Sequence, residues 1–158
     1  SVTVGQALHW MRYRELFHAL IPVFRPGGGI AVVTNGTPMW LQDSSWSRAL
    51  RGFLEEWSGA TLTAACGTDD ASQQRYRDAM TGAGLDVTEI IHSYTDELDL
   101  DHVVGGIYSA LGAQKLPPPG QRADFAAGIG RAVAPHAPFI EHVPVRILAG
   151  RTPGGFAG

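Results

Sequence analysis

Val2-Thr3-Val4-Gly5, running into Gln6-Ala7-Leu8-His9-Trp10-Met11, is the stretch that decides how this chain is read. Val2 to Gly5 is short, β-branched and ends in glycine, the pattern of a buried strand tip entering a loop. No polar lead-in precedes it, so the reading expects this sequence to be part of a longer chain. Beyond the loop, Tyr13, Leu16, Phe17 and Leu20 recur at helical spacing between Arg12 and about Ile21. Pro22, which has no N–H to donate, ends that helix. Arg25-Pro26-Gly27-Gly28-Gly29 turns the chain, and Ile30-Ala31-Val32-Val33-Thr34 is an apolar run expected of a strand covered on both faces.

The remaining chain continues the alternation. Asn35-Gly36-Thr37-Pro38 is a loop signal. Ser44 or Ser45 is placed to cap a helix to about Trp57, whose stripe is Trp46, Ala49, Leu50, Phe53, Leu54 and Trp57. Asp69 or Asp70 caps another, with Tyr76, Ala79, Met80 and Ala83 inward and Gly84 as its stop. Leu85 to Tyr94 reads as a strand. Asp99 or Asp101 caps a helix carrying Val103, Val104, Ile107, Tyr108 and Leu111, and a further helix runs from about Arg122 to Val133. Glu141 to Ala149 alternates, with Val143, Val145, Ile147 and Ala149 on one face. These elements read as one domain over residues 1–150, a helical insertion over about 98–135, and a flexible tail over 151–158.

The composition narrows the function classes. The 158 residues carry 44% hydrophobic and 17% charged residues, enough for a packed core and too apolar for global disorder. A net charge of −3 argues against a nucleic-acid grip, which needs a basic face. There is no apolar run of spanning length, so no membrane partner is expected. The single cysteine, Cys66, fits a reducing, cytoplasmic compartment. The six histidines show no metal-ligand spacing. Asp96, Glu97, Asp99 and Asp101 lack the glycine of a calcium loop and read as a solvated face with a helix cap.

Two segments together carry a resemblance. Gly5-Gln6-Ala7-Leu8-His9-Trp10-Met11 follows a buried strand, and Phe24-Arg25-Pro26-Gly27-Gly28-Gly29 leads into the next. This pairing resembles the small-molecule class I S-adenosylmethionine-dependent methyltransferases, with a His-Trp loop after the fourth strand and a Pro-Gly-Gly turn before the fifth. The resemblance covers nearly the whole chain. It implies a Rossmann-like α/β sheet, mostly parallel, closed by an antiparallel terminal hairpin in which the last strand inserts between the fifth and sixth. Val2–Gly5 would be the fourth strand and Ile30–Thr34 the fifth. The family's glycine-rich cofactor loop and ribose-binding acid have no counterpart here. Gly27-Gly28-Gly29 precedes a strand instead of following one, and reads as a tight turn needing positive φ. The chain thus looks like the C-terminal part of such an enzyme, and alone it is expected to bind the cofactor poorly.

The implied ligands are S-adenosylmethionine and a small-molecule methyl acceptor. The residues expected to line the cofactor are Gly5, Gln6, Ala7, His9 and Trp10, since ligands of open α/β sheets bind beyond the carboxyl ends of the strands. Trp10 would present its ring to the cationic sulfur, and His9 would take a proton from the acceptor or orient it. Against this stands the plain alternative that Trp10 is a core anchor and His9 caps a backbone group. Trp40 and Tyr108 are the acceptor-pocket candidates, whereas Trp46 and Trp57, on a helical stripe, are expected in the core. Two other classes compete. One is a non-catalytic interaction module, or half-domain completed as a homodimer through an exposed strand edge. The other is a nicotinamide-dependent oxidoreductase, which requires a Gly-x-Gly-x-x-Gly turn opening a helix.

Overall fold

The structure is a computed structural model, and it describes residues 1–63 and 66–154. Four strands form one sheet in the order β1-β2-β4-β3: β1 (Val2–Gly5), β2 (Gly29–Asn35), β3 (Asp86–Leu98) and β4 (Phe139–Arg151). β1 and β2 are parallel, with Val4 opposite Val32, and β4 runs antiparallel to β2, with Leu148 opposite Val32. The last strand therefore lies between β2 and β3, the ending expected of the methyltransferase fold. The parallel part of the sheet is the single pair β1–β2.

The chain divides into two compact units, and β3 and β4 contribute residues to both. The first unit holds residues 1–38, 66–94 and 143–154. Its helices are α1 (Tyr13–Leu20) and α3 (Asp70–Gly82). Phe17 of α1 and Tyr76, Ala79 and Met80 of α3 share a core with Val4, Leu8, Ile30, Val32, Leu85 and Leu148. Asp69 is the cap of α3: its carboxylate accepts from the Ser72 N–H at 2.8 Å. Gly27 takes φ 73°, the left-handed turn that the glycine run was expected to need, and the Gly28 N–H closes the turn onto the Arg25 carbonyl at 2.7 Å.

The structure corrects three expectations here. β2 is buried along Ile30, Val32 and Thr34, but Ala31 and Val33 on its other face are only half-buried. In β4 the residues set against this core are Leu148 and Gly150, while Val145, Ile147 and Ala149 are half-buried. Gly150 hides the pattern, because a core position without a side chain leaves no apolar mark. The C-terminal tail also starts later than expected: Arg151 is still in β4, and the Thr152 N–H donates to the Gly28 carbonyl at 2.8 Å. Residues 155–158 of that expected tail lie outside the described residues.

The second unit holds residues 39–63 and 95–142, with α2 (Ser45–Ser58), α4 (Leu100–Ala110) and α5 (Arg122–Val133). Ser44 caps α2 through the Ser47 N–H, and Asp99 caps α4 through the His102 N–H at 2.8 Å. Trp46, Leu50, Leu54, Val103, Ile107, Phe125, Ile129 and Val133 are buried. Gly128 lets α5 close on α2, since a Cβ there would meet the Phe53 ring at 2.5 Å. Among the described residues, no helix is long and apolar enough to cross a membrane.

Candidate functional site

The loop after β1 is built by a backbone reversal at its first residue. Gln6 has φ 45°, a left-handed conformation uncommon for a side chain of this kind. Its N–H donates to the Val33 carbonyl at 3.0 Å, and its side-chain Nε2 donates to the Asn35 carbonyl at 3.3 Å. One residue thus ties the carboxyl ends of both parallel strands. A short 3-10 turn, Leu8–Trp10, follows. The Trp10 N–H closes it onto the Ala7 carbonyl at 3.0 Å, and Leu8 anchors it in the core.

That geometry sends His9 and Trp10 outward. Trp10 is 77% exposed, so it is no core anchor. Its ring lies 4.8 Å from the His9 ring at a tilt of 44°. Partial burial lowers the His9 pKa below its usual 6.5, because desolvation penalises the imidazolium; the neutral ring is favoured. Gly5 is exposed, and a Cβ there would meet nothing within 4 Å. The Gln6 N–H is used within the sheet, so the ligand-facing part of the predicted cofactor wall is the open space over Gly5 with the rings of His9 and Trp10.

A second loop faces this one, and sequence reading did not find it. Cys66 and Gly67 both have positive φ, 51° and 76°. The Gly67 carbonyl accepts from Gln73 Nε2 at 2.8 Å, and a Cβ on Gly67 would stand 3.0 Å from the His9 Cβ. Burial pushes the Cys66 thiol up, so it stays protonated. Beyond this loop, at the carboxyl end of β2, lies a cavity of about 340 Å3 lined by Thr34, Gly36, Thr68, Asp70, Pro144 and Arg146. Arg146 donates to Asp70 at 2.9 Å and pairs with Glu89 at 3.1 Å, and Arg77 also pairs with Glu89. The charges on this wall compensate one another. Its residues come from four separate segments, none with a motif of its own.

The acceptor-pocket candidates fall in the second unit. Trp40 is 2% exposed, and its indole N–H finds no hydrogen-bond partner among the described residues. It belongs to the short turn Met39–Leu41, held against α2 by the Ser47 hydroxyl, which donates to the Met39 carbonyl. The Tyr108 hydroxyl is likewise buried without a partner, and its ring packs edge-on to Phe125 at 5.9 Å. Trp46 is buried as expected, its indole N–H donating to the Ile140 carbonyl at 2.9 Å. Trp57, expected in the core, is 36% exposed and lines a cavity of about 450 Å3 with Ser58, Leu116, Pro117 and Gln121. Trp40, expected at a pocket because it follows a loop, is thus buried, and Trp57, expected in the core from its helical stripe, is partly exposed. Trp57 sits at the last turn of α2, its ring edge-on to Phe125 at 5.0 Å.

No protein-family model matches the chain, and no curated protein matches it. Among solved structures it is similar to the 4+2 cyclase SpnF, with 14% identity over 97% of this chain and 49% of that one, at a TM-score of 0.40. It is similar to a candidate sarcosine dimethylglycine methyltransferase from Galdieria sulphuraria, with 11% identity over 96% of this chain and 52% of that one, at 0.41. A candidate methyltransferase from Bacillus halodurans C-125 gives 12% identity over 96% of this chain and 64% of that one, at 0.45. The chain spans about half the length of the first two. Likeness of this degree carries no argument about activity, which rests on the chain's own residues.

Proposed function

We propose that this chain supplies one wall of an S-adenosylmethionine-dependent methyl-transfer site acting on a small-molecule acceptor. The observation that carries the reading is Trp10: a large aromatic ring left 77% exposed, tilted against the His9 ring, one turn past the carboxyl end of a parallel strand. Exposing such a ring has no packing benefit, whereas its face suits a cationic sulfur. The fit with the cofactor is that of one wall. Gly5 leaves room for a ligand against the backbone, and Trp10 offers a π-face. None of the residues Gly5 to Trp10 is an acid to hold ribose hydroxyls.

The cofactor, when bound, supplies an activated methyl group, so the protein's work is alignment and exclusion of water. Gln6 fixes the loop to both strands, Leu8 pins it from below, and Trp10 closes over the cationic face. His9, neutral at physiological pH, has a ring nitrogen free to accept the proton that the acceptor gives up. The test is calorimetric titration of S-adenosylmethionine into this chain and into any longer form translated from the same gene. Strong binding by the longer form, with weak binding by the chain, is expected; absence of heat from both overturns the reading.

A second reading has one observation in its favour. Among the described residues β1 is paired on one side only, so its outer edge offers unpaired N–H and C=O groups. An interaction module that dimerises through that edge would show concentration-dependent mass in solution and no cofactor heat in any form.

A further inference from the structure

The cavity of about 450 Å3 lies wholly within the second unit, and its size is that of a small-molecule site. Two segments build it. Gly59, at φ 64°, stops α2 directly after Trp57 and Ser58. The Trp57 ring is fixed by two others, edge-on to Phe125 at 5.0 Å and tilted against Phe53 at 6.1 Å, yet it stays 36% exposed and lines the cavity. The second segment leaves a 3-10 turn, Ala113–Lys115, and runs extended, with Leu116 at ψ 152° and Pro118 at φ −60°, ψ 157°. Pro117 is buried and anchors it. Prolines carry no N–H, so this wall is apolar and stiff.

The charge balance of the wall selects the ligand. Lys115 is the only charged residue among the described residues that line the cavity. It forms no ion pair among the described residues. The negative end of α2 at Ser58 and the positive end of α5 at its N-cap Gln121 both reach the cavity. Each is worth about half a charge, so the two largely offset one another and the lysine charge is left over. The Ser58 hydroxyl is engaged, donating to the Ala60 carbonyl at 3.2 Å. Gln121 makes no capping bond, and Gly112 leaves room for Gln114, since a Cβ there would stand 3.0 Å from its Nε2. Two side-chain amides therefore stand beside the lysine as N–H donors.

We infer that this cavity binds a small aromatic carboxylate: a flat ring against Trp57 and the prolines, its single negative charge held by Lys115 and the amides of Gln114 and Gln121. An ammonium of the same shape would meet Lys115 with no carboxylate on the wall to hold it. A neutral ring gains the apolar contact alone. The site is separate from the methyl-transfer reading, because none of its residues belongs to the His9–Trp10 loop.

The experiment titrates 1-naphthoate into the 158-residue chain while the Trp57 indole N–H signal, assigned by its loss in Trp57→Phe, is followed by NMR. The controls are 1-naphthylmethylammonium, with the same ring and the opposite charge, and acetate, with the charge and no ring. 1-Naphthoate is expected to shift the signal saturably and the controls to leave it in place. Lys115 is exposed, so Lys115→Gln is expected to keep the melting temperature and to weaken binding about fivefold, the upper end for an exposed ion pair. Lys115→Arg keeps the charge and is expected to bind as the parent does. No saturable shift in the parent overturns the inference. So does equal affinity in Lys115→Gln, equal loss in Lys115→Arg, or either control binding as tightly as 1-naphthoate.

Discussion

Gly29 and Gly150 touch backbone to backbone where β2 meets β4: a Cβ on Gly29 would lie 1.9 Å from the Gly150 carbonyl oxygen. No rotamer relieves a clash with a main-chain atom, so the strands must part. Gly29→Ala is expected to cost about 3 kcal/mol, at the upper end for overpacking. Gly27→Ala, where a Cβ meets nothing within 4 Å but φ is 73°, is expected to cost about 1 kcal/mol. Urea denaturation of the two variants checks the order.

Asp69 caps α3 with both oxygens, accepting from the Ser72 N–H at 2.8 Å and the Ser72 hydroxyl at 2.7 Å. Asp69→Ala is expected to destabilise by about 1 kcal/mol. The hydrogen bond from the Ser72 hydroxyl holds the Asp69 carboxyl below its ordinary value of 3.8. The folded state thus favours the carboxylate, and this contribution is complete above the unfolded pKa and lost as pH falls through the folded one. Denaturant midpoints of parent and variant should therefore converge as pH drops below 3.8.

His9 titrates in the opposite charge sense with the same sign for stability. Desolvation lowers its pKa below 6.5, so the fold favours neutral imidazole. Its contribution is complete above the unfolded value and is lost as pH falls through the depressed folded value. NMR titration of the ring protons is expected to place the His9 midpoint below 6.5; a midpoint above it would contradict the burial described here.

Trp46 anchors the second unit through its ring and its indole N–H to the Ile140 carbonyl at 2.9 Å. Trp46→Phe leaves a void and strands that carbonyl, at an expected cost of about 2–3 kcal/mol. The same exchange at Trp10 is expected to change stability by no more than about 0.5 kcal/mol, because the ring is exposed.

Trp10→Ala bears on function in place of fold. In whatever form of the protein binds S-adenosylmethionine, the variant is expected to lose about tenfold in affinity, the scale of a desolvated cation–π contact plus lost area. Unchanged affinity would remove Trp10 from the site.

The elements were legible in the sequence because each carries a local signature. Phe17, Tyr76 and Met80 recur at helical spacing, Ser44, Asp69 and Asp99 are caps, and Gly27 marks a turn that needs positive φ. The His9–Trp10 segment was legible as a loop because it follows a buried strand tip. What only the tertiary structure decided comes from distant segments. Leu148 was masked as a core residue by its neighbour Gly150, whose lack of a side chain is meaningful only against Met80 and Leu85 packed over it. Trp40 follows a loop and Trp57 ends a helical stripe, yet Trp40 is the buried one, because its turn docks onto α2. The close approach of Gly67 to His9 joins positions 58 residues apart in the chain. Periodicity and caps act over a turn or two, so a sequence states them openly. A site assembled by close approach of backbones exists only once the chain has packed.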